Sequence, residues 1–559
     1  MPQTAHAAST ARAALAALRA CAACNETAGI VNEADAQRHA AQIVAWIRSN
    51  APAAADLRID SREVRRGDVF FALPGRRDDG RRHMLEAVSR GAGAIVTETL
   101  ESGAPPSVVP LLQVEQLAPQ LSGIGAAFYG DPTARMLVIG VTGTNGKTSC
   151  SHWIAQLLTA CGRRCGVIGT VGSGFPDALS ADASLTTPDA LGLQRQARAL
   201  MDAGAQALAI EVSSIGLDQH RTDAIRFDLA LFTNLTRDHL DYHGSMAEYR
   251  RAKERLFDTP CLAQAVLNLD DDFGRLLARR CRSRMLRAIG YRVQGPAVED
   301  VEARAPLDDV DLELCAEAVE LGTDGLRFDA HLRRAGAPEP AVAVRAPVIG
   351  RFNVSNVLGV FGTALAAGVE ALDAAAALQR LRPPAGRLQP VELGRQVPAA
   401  GLPLVLVDYA HTPDAIDQAL AALRPVAQAR AGRLWIVFGA GGDRDAGKRP
   451  EMGAAAARGA DCIVVTSDNP RSEDPTRIVE QIVAGAVGSG VRPERTEDRA
   501  RAIAGAVARA DSRDVVLIAG KGHEQYQEVA GRRLPFSDVE CARAALERRA
   551  GQAAQAGAG

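Results

Sequence analysis

Neither sign of charge dominates this chain. Its 64 lysines and arginines stand against 66 aspartates and glutamates, for a formal net charge of -2 at pH 7. Bulk electrostatics therefore gives no reason to expect a nucleic-acid or membrane partner. No run approaches the roughly 18 apolar residues that a membrane-spanning helix needs. Residues 1–20 lack acids, as targeting peptides often do, but Arg12 and Arg19 break any apolar core there. An Ala-rich extension, helical or disordered, is expected over residues 1–27. The ten cysteines form no disulfide framework. Cys21 and Cys24 have C-x-x-C spacing, but no second pair stands nearby to complete four zinc ligands. Reduced thiols in a cytoplasmic protein are expected.

What the chain does have is length and a repeated order. At 559 residues it exceeds one core, and the length prior suggests about three or four domains. Three blocks separate: residues 28–133, 134–381 and 382–547, followed by a tail, 548–559, that reads as disordered. The first mixes short strand-like runs ("GDVFFALPG", "GAGAIVTE") with helical stretches. The second opens on "VIGVTGTNGKTSC" and continues through "RCGVIGTV", "ALAIEVSS", "LALFTNL" and "AQAVLNLDD". The third begins after "LRPPAG" and alternates strand, turn and helix four times, at "PLVLVDYAH", "RLWIVFGAGGDRD", "DCIVVTSDNPR" and "DVVLIAGKGHE". The expectation is a three-domain α/β protein, with a P-loop-type, mostly parallel central sheet and a Rossmann-like C-terminal domain. In such sheets ligands bind beyond the carboxyl ends of the strands, where the unusual turn residues fall.

"VIGVTGTNGKTSC" has the layout of a phosphate-binding loop with altered spacing, since Val141 stands where G-x-x-x-x-G-K-[ST] has its first glycine. Gly143, Asn145 and Gly146 permit a turn whose N–H groups converge on an anion. Lys147 supplies a cation, and Thr148 a hydroxyl for Mg²⁺ at a helix N-terminus. A nucleoside triphosphate is the natural ligand. Glu211 ends the strand in "ALAIEVSS", where a carboxylate holds Mg²⁺ directly or through water. Asp238, His239, Asp241 and His243 crowd the next turn. There the residues leave open a metal site, zinc included, or a polar loop capping a helix. Lys253 by itself reads as a solvated lysine.

"GTNGKT", "EVSSIGLDQHR", "FTNLTRDHLDYHG" and "YRRAK", continued by "GRFNVSN", "VLVDYAHTPDA", "GAGGDRDAGKRP" and "GKGHE", resemble the Mur ligases, ATP-dependent amide-forming enzymes of peptidoglycan synthesis. The resemblance runs from about residue 57 to 538. It implies that ATP is the co-substrate, that Mg²⁺ is the cofactor, and that the γ-phosphoryl group goes to the free carboxylate of UDP-N-acetylmuramoyl-L-alanyl-D-glutamate. Lys147 would meet the phosphates along with Thr144 and Ser149 of the loop. Thr148 and Glu211 would serve one Mg²⁺, and His239 with a carbamylated Lys253 a second. Asn353 and Asn356 would read adenine, Asp408 the ribose, and Arg387 would approach the γ-phosphate. Ile59 and Ser61 would contact uridine, with Arg76, Arg77 and Asp78 on the diphosphate side. Thr186, Thr187, Ser213, Gln219 and Arg221 would hold the muramoyl peptide and diphosphate. Leu185 stands where relatives can have Asn, and Gln389 where they often have Glu, so no role transfers to either. The enzyme would be a monomer with hinges near residues 134 and 382.

The amine is read from "SDNPRSEDP". Asn469-Pro470 makes a rigid turn presenting Arg471, next to Asp468. A guanidinium there can grip a carboxylate bidentately. meso-Diaminopimelate differs from lysine by a far carboxylate, and D-N-P-R is the form that the resemblance associates with its addition. Arg444, Gly520 and Glu524 match the remaining contacts. The alternatives are the same reaction with L-lysine, a folylpolyglutamate-type ligase, and a non-catalytic nucleotide-binding regulator. Arg471 argues against the first. The N-terminal uridine block argues against the second. Intact Lys147, Glu211, His239 and Lys253 argue against the third.

Overall fold

The computed structural model describes residues 30–75, 78–99, 108–180, 185–294, 309–322, 324–393, 401–488 and 490–557. Residues 1–27 with Cys21 and Cys24, and the pair Arg76 and Arg77, lie outside them. The eight cysteines among the described residues are free thiols. No helix among those residues is long and apolar enough to cross a membrane.

The chain forms two compact units. The first holds residues up to Glu317 together with Asp329–Val342 and Ser355–Leu378. Within it, helix Ile30–Asn50 precedes a four-stranded parallel sheet, in the order Leu57–Arg58, Val69–Ala72, Ala94–Glu98, Leu111–Val114. Val69–Ala72 reads VFFA and is buried throughout, as a strand covered on both faces must be. A second sheet follows, whose parallel body runs in the order Arg287–Val293, Gln264–Asn268, Leu229–Phe232, Leu137–Thr142, Ala207–Glu211, Cys165–Gly169. Gly172–Phe175 and Ala178–Ser180 extend one edge antiparallel. The mostly parallel α/β character expected of this block is therefore present.

The boundary expected near residue 134 falls inside this first unit. Helix Leu117–Tyr129 packs along helix Ala190–Asp202. Arg195 Nη1 donates to Leu57 O at 3.0 Å, and Arg198 Nη1 to Tyr129 O at 3.0 Å. Tyr129 donates its hydroxyl to Asp56. Ser122 Oγ accepts from Ala224 N at 2.9 Å. These bonds tie the small sheet to the large one.

The second unit comprises Ala318–Phe328, Ala343–Val354 and residues from Gln379 onward. Its sheet runs Gln389–Pro390, Leu404–Asp408, Val515–Ala519, Leu434–Phe438, Cys462–Val465, Glu494–Arg495, antiparallel only at the first pair. Successive residues of each strand face opposite sides. Leu406, Ile436 and Leu517 pack with Ile416, Leu420, Met452 and Ile482. Their neighbours Val407, Val437 and Ile518 pack with Ile503, Val507 and Leu546. The terminal helix runs Asp538–Gly557, so the tail read as disordered from residue 548 is largely helical. Its alanines, glutamines and arginines are good helix formers, which outweighs the few glycines.

Candidate active site

Strand Leu137–Thr142 delivers the chain into the Gly-rich turn, and helix Lys147–Ala160 leaves it. Gly143 has φ +152°, and a Cβ there would stand 1.9 Å from Thr233 Oγ1. No other residue type fits without moving the loop. The end of the neighbouring strand straps the turn in place: Thr233 Oγ1 donates to Asn145 O at 2.6 Å, and Asn145 N to Asn234 Oδ1 at 2.9 Å. Lys147 Nζ donates to Gly143 O (3.0 Å) and Thr144 O (2.8 Å), while Lys253 Nζ also donates to Gly143 O (2.8 Å). Lys253 is not the solvated lysine its bare sequence suggests, since it is 1% exposed. Burial pushes its amine well below the usual lysine range, and the charge of Lys147 adds to this against Asp238. The Tyr249 ring lies 4.5 Å from Lys253 Nζ, and the Tyr249 hydroxyl 3.1 Å from Thr144 Oγ1.

Glu211 is fully buried at the end of its strand. Its Oε2 accepts from Thr148 Oγ1 at 3.0 Å and from Thr170 Oγ1 at 2.9 Å, and its Oε1 accepts from Thr170 N at 3.0 Å. A buried carboxylate among hydroxyls is a set of hard oxygen donors, which fits Mg²⁺. Ser149 is buried in the first turn of the helix. Sequence reading missed Thr170, although the signal was available: Cys165–Gly169 runs parallel to Ala207–Glu211 with Ile168 opposite Ile210, so both strands end together.

His239 occupies the left-handed region (φ 52°) at the start of a short helical turn. Burial pulls its imidazole below the ordinary histidine range; Asp238 opposes this, and Lys147 and Lys253 reinforce it. His243 points elsewhere, with Nε2 2.9 Å from Ser214 Oγ and its ring against Tyr249. Among the described residues no three His, Cys, Asp or Glu side chains gather as a metal site. The zinc reading of Asp238–His243 therefore gains no support.

Thr186, Thr187, Ser213, Gln219 and Arg221, the residues expected on the muramoyl side, form hydrogen bonds among themselves and with Glu211 and Thr170. Thr187 Oγ1 donates to Glu211 O at 2.8 Å and accepts from Ser213 N at 2.9 Å. Arg221 donates Nη1 to Thr187 O at 2.7 Å and Nε to Gln219 Oε1 at 3.1 Å. Thr186 Oγ1 lies 3.1 Å from Thr170 Oγ1. In the small sheet's domain Ile59 is half-buried, and buried Ser61 donates to Glu86 Oε2 at 2.8 Å. Exposed Asp78 pairs with His83 at 2.8 Å. Asn356 lies beside the nucleotide loop, its Oδ1 3.7 Å from Cys150 Sγ. Asn353 donates Nδ2 to Ile349 O at 2.7 Å, within the second unit.

In that unit Asp408 ends its strand and accepts from Leu388 N (2.7 Å) and Ala410 N (2.8 Å). Burial raises its carboxyl above the usual range, with Arg387 opposing. Arg387 lies over the Tyr409 ring at 4.7 Å. The turns after three parallel strands converge on one another. Gly442 N donates to Asn469 O at 2.9 Å, and Gly520 N to Asp408 O at 3.1 Å. Asn469 donates Nδ2 to Glu524 Oε2 at 2.9 Å and accepts at Oδ1 from Lys521 Nζ at 2.9 Å. Lys521 also reaches Glu524 Oε2 at 2.9 Å. Asp468 and Pro470 are buried, Arg471 is partly buried, and Arg444 is exposed. Behind the turns, fully buried Arg499 grips Asp538 through two 2.7 Å bonds and donates Nη2 to Ala519 O at 2.9 Å and Nη1 to Ser467 O at 3.3 Å. Sequence reading missed Lys521, Arg499 and Asp538.

Residues 141–364 match the Mur ligase middle domain, and residues 386–522 the Mur ligase, glutamate ligase domain. A UDP-N-acetylmuramoyl-L-alanyl-D-glutamate–2,6-diaminopimelate ligase from Ralstonia nicotianae is 47% identical over 517 residues, covering 91% of this chain and 96% of the relative. The protein of the same name from Pseudomonas aeruginosa is 46% identical, covering 88% and 94%. A solved structure of such a ligase superposes with a TM-score of 0.59 at 34% identity, over 88% of this chain and 95% of the other. The MurF ligase of Thermotoga maritima in complex with ADP (TM-score 0.56, 18% identity, 89% and 98% covered) shares the fold. So does the folylpolyglutamate synthase of Mycobacterium tuberculosis (0.54, 18%, 76% and 94%).

Proposed function

Because this chain belongs to the Mur ligase family, we propose that it is the ATP-dependent ligase that joins meso-2,6-diaminopimelate to the D-glutamyl carboxylate of UDP-N-acetylmuramoyl-L-alanyl-D-glutamate. The observation that carries the choice of amine is Arg471, presented on the buried Asp468-Asn469-Pro470 turn beside Glu524 in a chain whose 47%-identical relative bears that activity in its name. A guanidinium is suited to the distal carboxylate that distinguishes diaminopimelate from lysine. Glu524 is suited to an ammonium group.

A free carboxylate is a poor acyl donor, because its leaving group would be oxide. Transfer of the γ-phosphoryl group to it breaks the bond to ADP and forms an acyl phosphate. The neutral amine then attacks the acyl carbon, the proton leaves nitrogen, and phosphate departs as the amide forms. This chemistry rests on positioning and charge neutralisation. Lys147 is placed for the phosphates. Its ammonium now bonds two loop carbonyls and can turn to a ligand's oxygens. Thr148 and Glu211 would hold one Mg²⁺, and His239 and Lys253 a second. When bound, the ions would neutralise phosphate charge.

Lysine becomes an oxygen ligand only as a carbamate. Burial lowers the basicity of Lys253, which favours the neutral amine that attacks CO₂, forming the C–N bond and releasing a proton. A carbamate resonance after incubation with ¹³C-bicarbonate, absent in Lys253→Met, tests this assignment. Asn356 beside the loop supports adenine recognition. Asp408 keeps acceptor capacity for a ribose hydroxyl beyond its two backbone bonds. The reading carries with it a cytoplasmic monomer, checked by sedimentation of the full chain.

The decisive experiment offers diaminopimelate and L-lysine in competition, with Mg-ATP and the UDP-dipeptide, and weighs the product by mass spectrometry. Diaminopimelate incorporation is expected. Lysine incorporation would overturn the assigned amine, and no adduct would overturn the ligase reading.

A further inference from the structure

Arg471 is held by two different kinds of contact. Its placement is set by backbone. Arg471 N donates to Glu528 O at 3.0 Å, Ala530 N donates to Arg471 O at 2.7 Å, and Arg471 Nη1 donates to Gly442 O at 2.6 Å. The hairpin of strands Tyr526–Val529 and Arg532–Pro535 thus docks beside the turn as one more parallel bridge, Arg471 opposite Val529. Glu528 N donates to Asn469 Oδ1 at 2.9 Å, and Gln527 Nε2 to Asp468 O at 2.7 Å, which fixes the hairpin to the residues before Arg471. Gly441 lets the guanidinium lie close, since a Cβ there would stand 3.0 Å from Nη1.

The second contact is a charge. Glu528 Oε2 lies 3.4 Å from Arg471 Nε, an ion pair longer than a good hydrogen bond, with the two side chains 23% and 27% exposed. Geometry is supplied elsewhere, so this carboxylate contributes charge rather than orientation. It approaches Nε, while Nη1 is bonded to Gly442 O.

We propose that Glu528 is a specificity-determining residue. By partly neutralising Arg471 it lowers the pull on the distal carboxylate of diaminopimelate and softens the repulsion of a lysine ammonium. This rests on the diaminopimelate reading above. Glu528 acts through Arg471 and touches no reacting atom. The partly exposed pair is worth a modest factor, about twofold to fivefold in KM.

The test is steady-state kinetics on the full chain with each amine varied. Glu528→Gln is expected to lower the diaminopimelate KM by about twofold to fivefold, raise that for lysine, and leave kcat and the KM for ATP unchanged. Glu528→Asp, which keeps the charge, should stay near wild type. In an Arg471→Ala background the Glu528→Gln effect should vanish. An unchanged or raised diaminopimelate KM in Glu528→Gln would overturn the proposal, as would an effect that persists without Arg471. If the wild type incorporates no diaminopimelate, the underlying reading fails and this proposal falls with it. If the wild type incorporates it and Glu528→Gln does not respond, only the proposal fails.

Discussion

Removing the carboxylate of Asp538 should loosen the second unit far more than a single side chain usually does. Arg499 and Asp538 are both inaccessible to solvent and meet through paired 2.7 Å bonds. Two of the other three guanidinium hydrogens go to the carbonyls of Ser467 and Ala519, each at the carboxyl-side end of a strand. Asp538→Ala leaves this cation buried without its counter-ion, a loss of about 3–5 kcal/mol. At about 1.36 kcal/mol per decade, amide exchange through global opening should accelerate by about 150- to 5,000-fold. The amides of Val515–Ala519 report it, since that strand is entirely buried. Native-state hydrogen exchange on the full chain gives the number without assuming that two units unfold together. Arg499→Met with Asp538→Leu, which removes both charges, should restore protection to within about tenfold of wild type. A fall below tenfold for Asp538→Ala, or a double variant no better than the single, would refute the view that the penalty is an orphaned buried charge.

Gly143→Ala forces a methyl to within 1.9 Å of Thr233 Oγ1. We expect about 1–3 kcal/mol of destabilisation and weaker ATP binding by calorimetry; unchanged ATP affinity would show that the loop tolerates a Cβ. Arg471→Ala should raise the diaminopimelate KM by about tenfold to a hundredfold, the scale of a charged hydrogen bond, and leave ATP nearly untouched. Equal losses would make the arginine structural. Hydrogen bonds from Arg449 hold the Glu473 carboxyl down to about 2, below its ordinary 4.5. Its stabilisation is therefore complete above pH 4.5 and fades as pH falls towards 2. Urea midpoints of Glu473→Gln should lose that part of the acid limb, and an identical slope in both proteins would contradict the linkage.

Much of the site could be read from the sequence because its residues sit where strand periodicity gives way to polar turns. Lys147, Glu211, Asp408 and Arg471 each end or follow an apolar strand of a parallel sheet, and within each sheet the topology alone directs such strand ends to one edge. Thr170, Arg499, Asp538 and Glu528 escaped for one shared reason. Each acts across a sequence separation that no local pattern spans, such as 39 residues from Arg499 to Asp538. Lys253 was legible as a residue but not in its state, since burial depends on Tyr249 and on the nucleotide loop more than a hundred positions away. The terminal helix escaped because its glycines look like disorder, while helix propensity acts over the whole stretch.

The bonds from Asp56, Tyr129, Arg195 and Arg198 between the small sheet and the central helix bear on how such a protein is assembled from parts. A recombination cut at residue 134 would separate Tyr129 and the carbonyl of Leu57 from the two arginines that serve them. A chimaera that exchanges only the residues before that cut would inherit half a junction. A unit of exchange that keeps the junction whole reaches at least to the end of helix Ala190–Asp202, so the small sheet travels with the Gly-rich loop and the strand before it.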